Sequence, residues 1–173
     1  NLIGNEKKYL DNCIKTSFVS SVGKYVQDFE KKISTFLKVK YSVSCNSGTS
    51  ALQLALRVSG VESDDEVIIP SMSFIATANS IRYLNADPIF MDSDEYFNLD
   101  VKKTKAFLIN ETIFRKNKTY NKKTNKKISA LIVVHVFGNA ANLAELINLC
   151  KKRNIKIIED AAGAFGTKYL AGN

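Results

Sequence analysis

A near-continuous apolar run at residues 128–134 has the composition of a strand that is buried on both faces of a sheet. Such a strand needs a covering layer of secondary structure on each side. Shorter runs rich in Ile and Val stand at residues 66–70 and 155–159, and segments with helical spacing separate the three runs. Strands that alternate with helices form βαβ units with right-handed crossovers. The sequence therefore predicts an α/β fold with a mostly parallel sheet.

The periodicity of apolar residues also places the remaining elements. Asn5 is positioned to cap a helix that ends near Lys15, and apolar residues at helical spacing predict a second helix over residues 25–37. The alternating residues 41–45 predict a strand. The other predicted elements, in chain order, are a helix that starts near residue 49, a strand at 66–70, a helix at 75–84, a strand at 88–91, a helix capped by Asp100, a strand at 128–134, a helix at 143–150 and a strand at 155–159.

Residues 46–50 join the strand predicted at 41–45 to the next helix and have the composition of a phosphate-binding turn. Thr49 or Ser50 can cap this helix, and its first backbone N–H groups have no partner within the helix. The helix dipole favours negative charge there, and Gly48 allows a ligand to approach the backbone closely. The turn therefore suits a phosphate. An ordinary capped helix without a ligand is the alternative that these residues leave open.

Three further features follow other predicted strands, and in parallel sheets ligands bind at the carboxyl ends of the strands. They are the segment 71–74, His135 and Asp160. Asp160 could place a carboxylate at the floor of a cleft or serve as a turn aspartate. His135 could be catalytic or a hydrogen-bonded structural residue, and Phe74 could belong to the core. The glycine patterns of a P-loop and of a dinucleotide site are absent.

The net charge of +8 has a local origin. Seven of the 25 basic residues lie between Arg115 and Lys127 with no acidic residue among them, and the others nearly balance the 17 acidic residues. The run is also rich in Asn and Thr, so it predicts a solvated basic loop, an insertion at residues 115–127, rather than a nucleic-acid surface.

Cysteine and histidine usage narrows the class of protein further. The three cysteines are far apart, and His135 is the one histidine, so neither a disulfide framework nor a metal site is expected and a reducing cytoplasm is favoured. No apolar run reaches membrane-spanning length and no signal peptide is recognised. The 173 residues suffice for one core. Because the chain starts without Met and stops in mid-pattern, we expect it to be part of a longer protein.

Five sequence blocks resemble the pyridoxal-phosphate-dependent sugar aminotransferases of the DegT/DnrJ/EryC1/StrS group. In chain order they are SSVGKYV at 20–26 with the following Phe29 and Glu30, NSGTSAL at 46–52, PSMSFIAT at 70–77, VHVFG at 134–138 and EDAA at 159–162. The resemblance covers essentially the whole chain. It implies an αβα sandwich, the fold type I large domain of the aspartate aminotransferase type, with N-terminal helices and with its C-terminal part missing. The opening residues 1–6 and the insert before Ile128 resemble enzymes that aminate C4 of UDP-4-keto-6-deoxy-N-acetyl sugars, as in bacillosamine or legionaminic acid synthesis.

The resemblance also implies roles for individual residues. Gly48, Thr49 and Ser50 would hold the phosphate of pyridoxal phosphate, Phe74 would stack on its pyridine ring and Asp160 would pair with the ring nitrogen. Glutamate is the usual amino donor in the group, which acts in surface-polysaccharide or glycan synthesis. The resemblance further implies that the complete protein is a homodimer with a shared active site and that no metal takes part.

Two departures from the family pattern leave alternatives open. Gly163 stands where the family usually has Gln, Glu or His, and the lysine that forms the Schiff base with the cofactor is expected beyond Asn173. Lys168 matches a different segment and is expected to be a surface lysine. We therefore expect no catalytic residue, and no activity, in this piece alone. A dehydratase of the same fold, with His at the lysine position, and a non-catalytic regulator or decayed gene product are the alternatives.

Overall fold

The computed structural model describes residues 3–168, and the chain divides into two units, Asn1–Ser44 and Cys45–Asn173. The first unit contains helices α1 (Glu6–Lys15) and α2 (Lys24–Leu37), as predicted. Tyr25 of α2 donates a hydrogen bond from its hydroxyl to Asn12 Oδ1 at 3.1 Å and its ring lies 5.0 Å from that of Tyr9. Asn5 precedes α1 but makes no side-chain capping bond, so this detail of the prediction is wrong.

The strand predicted at residues 41–45 is also wrong, because the segment pairs with α2 instead of with a sheet. Glu30 Oε1 accepts hydrogen bonds from the backbone N–H of Ser44 at 2.8 Å and from its hydroxyl at 2.9 Å. These two bonds hold the pKa of Glu30 below its ordinary value. A strand exists only where a partner strand accepts its backbone hydrogen bonds, and no strand within residues 3–168 pairs with this segment.

The second unit is built on a six-stranded sheet. Its strands are β1 (Glu66–Pro70), β2 (Asp87–Met91), β3 (Thr112–Arg115), β4 (Lys118–Asn121), β5 (Lys127–Val134) and β6 (Lys156–Asp160). The strands β2, β1, β5 and β6 lie in this order and are all parallel. The pair β3–β4 is antiparallel and joins the sheet through the beginning of β5. The mostly parallel sheet predicted from the sequence is therefore confirmed.

Two helices cover each face of this sheet, which confirms the αβα sandwich. They are α3 (Gly48–Val58) and α4 (Ile75–Arg82) on one face, and α5 (Val101–Asn110) and α6 (Ala144–Lys152) on the other. Six of the eight residues of β5 are buried, as the apolar run predicted. The α3–α4 core includes Leu52, Leu56, Ile69, Ile81, Ile132 and Ile158, and the α5–α6 core includes Ile68, Leu108, Leu131, Val133, Leu146 and Cys150. Asp100 caps α5 as predicted, accepting from Lys103 N at 2.9 Å.

The basic segment at residues 115–127, predicted to be a solvated loop, instead contributes strand β4 to a hairpin with β3. Lys116 and Asn117 form its turn with left-handed φ angles of 49° and 59°, a conformation that suits two-residue hairpins. Thr119 and Asn121 are buried, whereas Lys118 is exposed and Tyr120, between the two buried residues, is half-buried. This alternation is the signature of a half-buried strand, and the density of lysines obscured it.

Acidic residues at the start of the parallel strands neutralise the end of the basic segment. Lys127 Nζ lies 2.8 Å from Asp65 and 3.4 Å from Glu62. Burial opposes the charged form of Lys127, but its hydrogen bond to Asp65 and the charges of Asp65 and Glu62 outweigh this effect and raise its pKa. Lys126 pairs in the same way with Asp87, whose pKa is lowered chiefly by that hydrogen bond. Part of the local excess of positive charge is therefore engaged in ion pairs within the fold.

The two cysteines of the second unit differ in burial, and we expect them to differ in reactivity as a result. Cys150 is fully buried, and burial raises the pKa of its thiol from 9.0 to about 11, whereas Cys45 is exposed. We expect a thiol reagent at pH 8 to modify Cys45 rapidly and Cys150 only after unfolding, because the thiolate is the reactive form. Peptide mapping of the labelled chain checks this. Equal labelling rates in the folded chain would contradict the packing of α6.

The same thiol predicts a trend of stability with pH. Because the folded-state pKa of Cys150 lies above 9.0, its contribution to stability is complete below about pH 9 and is lost as the pH rises towards about 11. Urea unfolding in this range should show a falling free energy of unfolding, and the slope should decrease in Cys150→Ala. An unchanged slope in that variant would assign the trend to other groups.

Candidate cofactor site

The carboxyl ends of β1, β5 and β6 meet at one edge of the sheet because these strands are parallel. Helix α3 also begins at this edge. Its C-terminus connects through residues 59–65 to the start of β1, so it runs antiparallel to the strands. Eleven helical residues span about 16 Å, the same length as a five-residue strand at about 3.3 Å per residue. The tertiary structure therefore gathers all four predicted features at the same edge.

The start of α3 is an open backbone cradle. Ser47 is the capping residue, since its hydroxyl oxygen accepts from Ser50 N at 3.2 Å, so the predicted caps Thr49 and Ser50 are wrong. The first helical hydrogen bond runs from Ala51 N to Ser47 O at 3.0 Å. Among residues 3–168, the N–H groups of Gly48 and Thr49 have no acceptor. A Cβ built on Gly48 would meet nothing within 4 Å, so the approach is open.

Phe74 lies at the residue that precedes α4 and is 80% exposed. The possibility that it belongs to the core is therefore excluded. Its neighbour Ser73 anchors this helix start, because the Ser73 hydroxyl lies 2.7 Å from the hydroxyl of the buried Thr77. The backbone is thus held in place while the Phe74 ring remains open to a flat ligand.

Asp160 ends β6 and is half-buried. Its Oδ1 accepts from Ala162 N at 3.1 Å, so the residue does shape the turn after the strand. No basic side chain in the part of the chain that the structure describes forms an ion pair with it. One carboxylate oxygen therefore orders the turn, and the other is available to a cation or a protonated ring nitrogen.

His135 is a structural residue that links the loops after β5 and β6. Its backbone N–H donates to Asp160 O at 3.1 Å, and the residue is 7% exposed. Nδ1 accepts from Ala141 N at 3.1 Å, which places the ring proton on Nε2 and makes it a donor to Glu159 Oε2 at 3.0 Å. Both ring nitrogens are occupied, so the structural alternative for His135 is the correct one.

Two residues that stabilise this edge of the sheet were not predicted from the sequence. Asn98 is 2% exposed, and its Oδ1 accepts from Val136 N at 3.0 Å, which ties the loop after β2 to the loop after β5. Glu159 is the partner of His135. Asn98 and Glu159 lie 38 and 24 positions from the residues they contact, and no local periodicity signals such contacts.

Gly163 and Lys168 lie in the segment after Asp160. A Cβ on Gly163 would lie 3.4 Å from His135 O, an ordinary van der Waals contact, and its φ is not in the left-handed region. The backbone therefore does not require glycine at this position. Lys168 is exposed, as predicted for a surface lysine.

No group of three or more His, Cys, Asp or Glu side chains within residues 3–168 is arranged to hold a metal ion. No helix in the same range combines the length and the apolar character needed to cross a bilayer.

The fold is that of the large domain of pyridoxal-phosphate-dependent aminotransferases. The aminotransferase from Psychrobacter cryohalolentis superimposes on it with a TM-score of 0.81 at 25% identity, over 98% of this chain and 39% of that one. Residues 1–172 match the model of the DegT/DnrJ/EryC1/StrS aminotransferase family. The chain belongs to this family, which uses pyridoxal phosphate and contains aminotransferases that act on nucleotide-linked sugars.

Curated relatives add detail about neighbouring proteins. The GDP-perosamine synthase of Escherichia coli O157:H7 is 38% identical over 97% of this chain and 42% of its own length. The UDP-2-acetamido-2-deoxy-3-oxo-D-glucuronate aminotransferase of Pseudomonas aeruginosa is 32% identical over 86% of this chain and 37% of its own. The chain thus spans about two-fifths of these relatives. They do not single out the bacillosamine type that the first residues suggested.

The role of His135 can be tested by substitution. His135→Ala leaves the Ala141 N–H buried without an acceptor, which should lower the free energy of unfolding by about 1–3 kcal/mol. In His135→Asn the side-chain oxygen can replace Nδ1, so a smaller loss is expected. Urea unfolding of both variants measures the difference. Wild-type stability in His135→Ala would contradict the structural role.

Proposed function

We propose that this chain is the cofactor-binding part of a pyridoxal-phosphate-dependent aminotransferase. The full reaction would transfer the amino group of glutamate to a nucleotide-linked 4-keto-6-deoxy sugar, in surface-polysaccharide or glycan synthesis. The observation that carries the proposal is the pair of unpartnered N–H groups at Gly48 and Thr49, on the same sheet edge as the Asp160 carboxylate.

The residues at the start of α3 fit a phosphate group. Two N–H donors converge there, the hydroxyls of Thr49 and Ser50 stand on the same turn, and the positive end of the helix dipole stabilises an anion. Ser47 has already satisfied the Ser50 N–H, so Gly48 and Thr49 supply the backbone donors. With its phosphate bound here, the rest of the cofactor would lie along the carboxyl edge of the sheet.

Phe74 and Asp160 supply the two other contacts that the cofactor ring needs. The exposed Phe74 ring offers a flat apolar surface for stacking. The available oxygen of Asp160 can accept a hydrogen bond from a protonated ring nitrogen and favours the protonated form by its charge. When bound, the cofactor supplies the electron-withdrawing ring that stabilises negative charge during amino transfer. Asp160 would keep that ring protonated.

Gly163 favours a second candidate, a non-catalytic protein of the same fold. The position lacks the side chain that the family usually places near the phenolic oxygen of the cofactor, although the backbone would accept one. Gly163→Gln distinguishes the two candidates. In an aminotransferase the new amide should change the absorbance of bound cofactor, whereas an unchanged absorbance would favour the non-catalytic candidate.

Thr49→Leu tests the phosphate cradle. A bulky apolar side chain at the helix start removes a hydroxyl donor and blocks the approach, so we expect at least a tenfold weaker affinity for pyridoxal phosphate. Thr35→Leu, at an exposed position of α2, is the matched control. Equilibrium dialysis of the two variants and the wild-type chain gives the comparison. Unchanged cofactor retention in Thr49→Leu would reject the assignment.

Asp160→Asn tests the ring-nitrogen contact. Losing a hydrogen bond to a charged group costs about 1.5–3 kcal/mol, so pyridoxamine phosphate should bind about 10- to 150-fold more weakly. Asp92→Asn is the control, because Asp92 directly follows β2 at the same sheet edge and contacts Lys103. Circular dichroism should show an intact fold in both variants. Near-normal binding in Asp160→Asn would leave this residue with its turn contact alone.

The donor and the sugar nucleotide are tested by turnover. We expect no 2-oxoglutarate from the 173-residue chain with pyridoxal phosphate, glutamate and a keto sugar, because the cofactor-bound lysine of the family follows later in the sequence pattern. A family-length protein that contains this chain should be active. Parallel assays with UDP- and GDP-linked 4-keto-6-deoxy sugars identify the nucleotide. Turnover by the chain alone would assign the chemistry to one of its own lysines, Lys168 first.

A further inference from the structure

Strand β3 lies at an edge of the sheet, because no strand within residues 3–168 pairs with the side of β3 that faces away from β4. Such an edge presents backbone N–H and C=O groups that a strand of another chain can pair with. A β-bulge or a proline often protects an edge strand. Strand β3 contains no proline and pairs regularly with β4 over all four of its residues, so its outer edge lacks these two forms of protection.

The hairpin determines which backbone groups of β3 point outwards. Lys122 N donates a hydrogen bond to the carbonyl oxygen of Glu111, the residue directly before β3, at 2.9 Å. Antiparallel strands alternate between hydrogen-bonded and non-hydrogen-bonded pairs, so every second residue from Glu111 onwards is hydrogen-bonded to β4. The N–H and C=O groups of Thr112 and Phe114 therefore point away from β4.

The side chains on either side of Ile113 form a self-complementary set. Ile113 is 47% exposed, and the exposed Glu111 and Arg115 lie two residues before and two residues after it. Neither of these two charged side chains forms an ion pair among residues 3–168. Arg115 has neutral partners, since it donates to Asn125 Oδ1 at 2.8 Å and lies over the ring of Tyr120. A second copy that runs antiparallel and is centred on Ile113 would supply the opposite charge to both.

The backbone geometry permits the same register. In an antiparallel pair, a residue whose backbone groups point outwards lies opposite another such residue. Centring on Ile113 places Thr112 opposite Phe114 of the second copy, so the outward groups meet as hydrogen-bonded pairs. Ile113 then lies opposite its own copy in a non-hydrogen-bonded pair, where the side chains are closest. Sliding one copy by two residues would keep the hydrogen bonds but would separate Glu111 from Arg115.

We propose that β3 pairs with β3 of a second copy of this chain, antiparallel and centred on Ile113. The contact is isologous, so it contains two ion pairs between Glu111 and Arg115 and one contact between the two Ile113 side chains. It joins the sheets of the two copies into one. The hairpin meets the sheet at the beginning of β5, near the amino edge, so the contact does not depend on the proposed cofactor.

Two features limit the strength of this association. Four residues from each copy bury less area than a stable dimer requires. The basic segment also carries exposed lysines, which repel those of the second copy. At about 0.15 M salt the screening length is about 8 Å, so repulsion between distant lysines is reduced more than attraction between neighbouring groups. The association is therefore best measured at this ionic strength by a method that traps the pair.

Disulfide trapping of the 173-residue chain meets this requirement. Cys13→Ser and Cys45→Ser remove the more accessible native thiols, and Cys150 is buried. In this background Ile113→Cys should form a disulfide-linked dimer on mild oxidation, because Cβ atoms opposite each other lie about 4.5–5.5 Å apart. Lys118→Cys, at an exposed position of β4, is the matched control. Its two copies would lie three strand spacings apart, about 14 Å, so it should cross-link at least tenfold more slowly.

Phe114→Pro tests the backbone pairing. Proline here removes an N–H that points away from β4 and leaves the hydrogen bonds of the hairpin in place. Added to Ile113→Cys, it should lower the cross-linking rate at least tenfold. Phe114→Ala is the control, because it removes the ring but keeps the N–H, and its rate should stay within threefold. Circular dichroism should show an intact fold in both variants.

Exchange of the two charges tests the register, again in the Ile113→Cys variant. Glu111→Arg places like charges opposite each other and should lower the cross-linking rate about fivefold. Adding Arg115→Glu restores both the original net charge and the opposite-charge pairs, so the rate should recover to within twofold. Equal rates in Ile113→Cys and Lys118→Cys would indicate random collision and overturn the proposal. An undiminished rate in Phe114→Pro, or no recovery on charge exchange, would overturn it as well.

Discussion

The structure of the second unit depends on strand β5, which is buried on both faces and hydrogen-bonded to neighbouring strands on both sides. Six of its eight residues are buried. It pairs with β1 on one side, and on the other side it pairs first with β4 and then with β6. A strand in this position needs helices above and below, and its neighbours reach it most simply through parallel crossovers. Because the core strands are parallel, their amino ends lie at one edge of the sheet and their carboxyl ends at the other.

The two edges of the sheet have opposite chemistry as a result. The carboxyl edge carries the N–H groups of Gly48 and Thr49, which have no acceptor within residues 3–168, and the carboxylate of Asp160, one oxygen of which accepts a hydrogen bond from Ala162 N. The hydrogen bonds of His135 and Asn98 support this edge. The amino edge carries the lysines of the basic segment, part of which Asp65 and Asp87 neutralise. The basic residues responsible for most of the net charge of +8 thus lie at one edge of the sheet.

The family match and the geometry at the start of α3 both bear on the candidate phosphate site. Five ordered sequence blocks identify the family, and the match over residues 1–172 establishes it. A capped helix start alone would be weak support for a phosphate site. It gains force because the tertiary structure leaves the Gly48 and Thr49 amides unpartnered and places them on the same edge as Asp160.

The sequence by itself determined the elements whose signal is local. Helical spacing and apolar runs predicted both helices of the first unit, the four helices of the second and the strands β1, β2, β5 and β6, because side-chain periodicity follows directly from backbone geometry. The sequence did not predict the structure of segments that depends on their pairing with distant residues. Residues 41–44 alternate like a strand but bind Glu30, and β4 hides its alternation beneath lysines. The contacts of His135 with Glu159 and of Asn98 with Val136 arise only when distant segments meet in the folded sheet, so only the tertiary structure decided them.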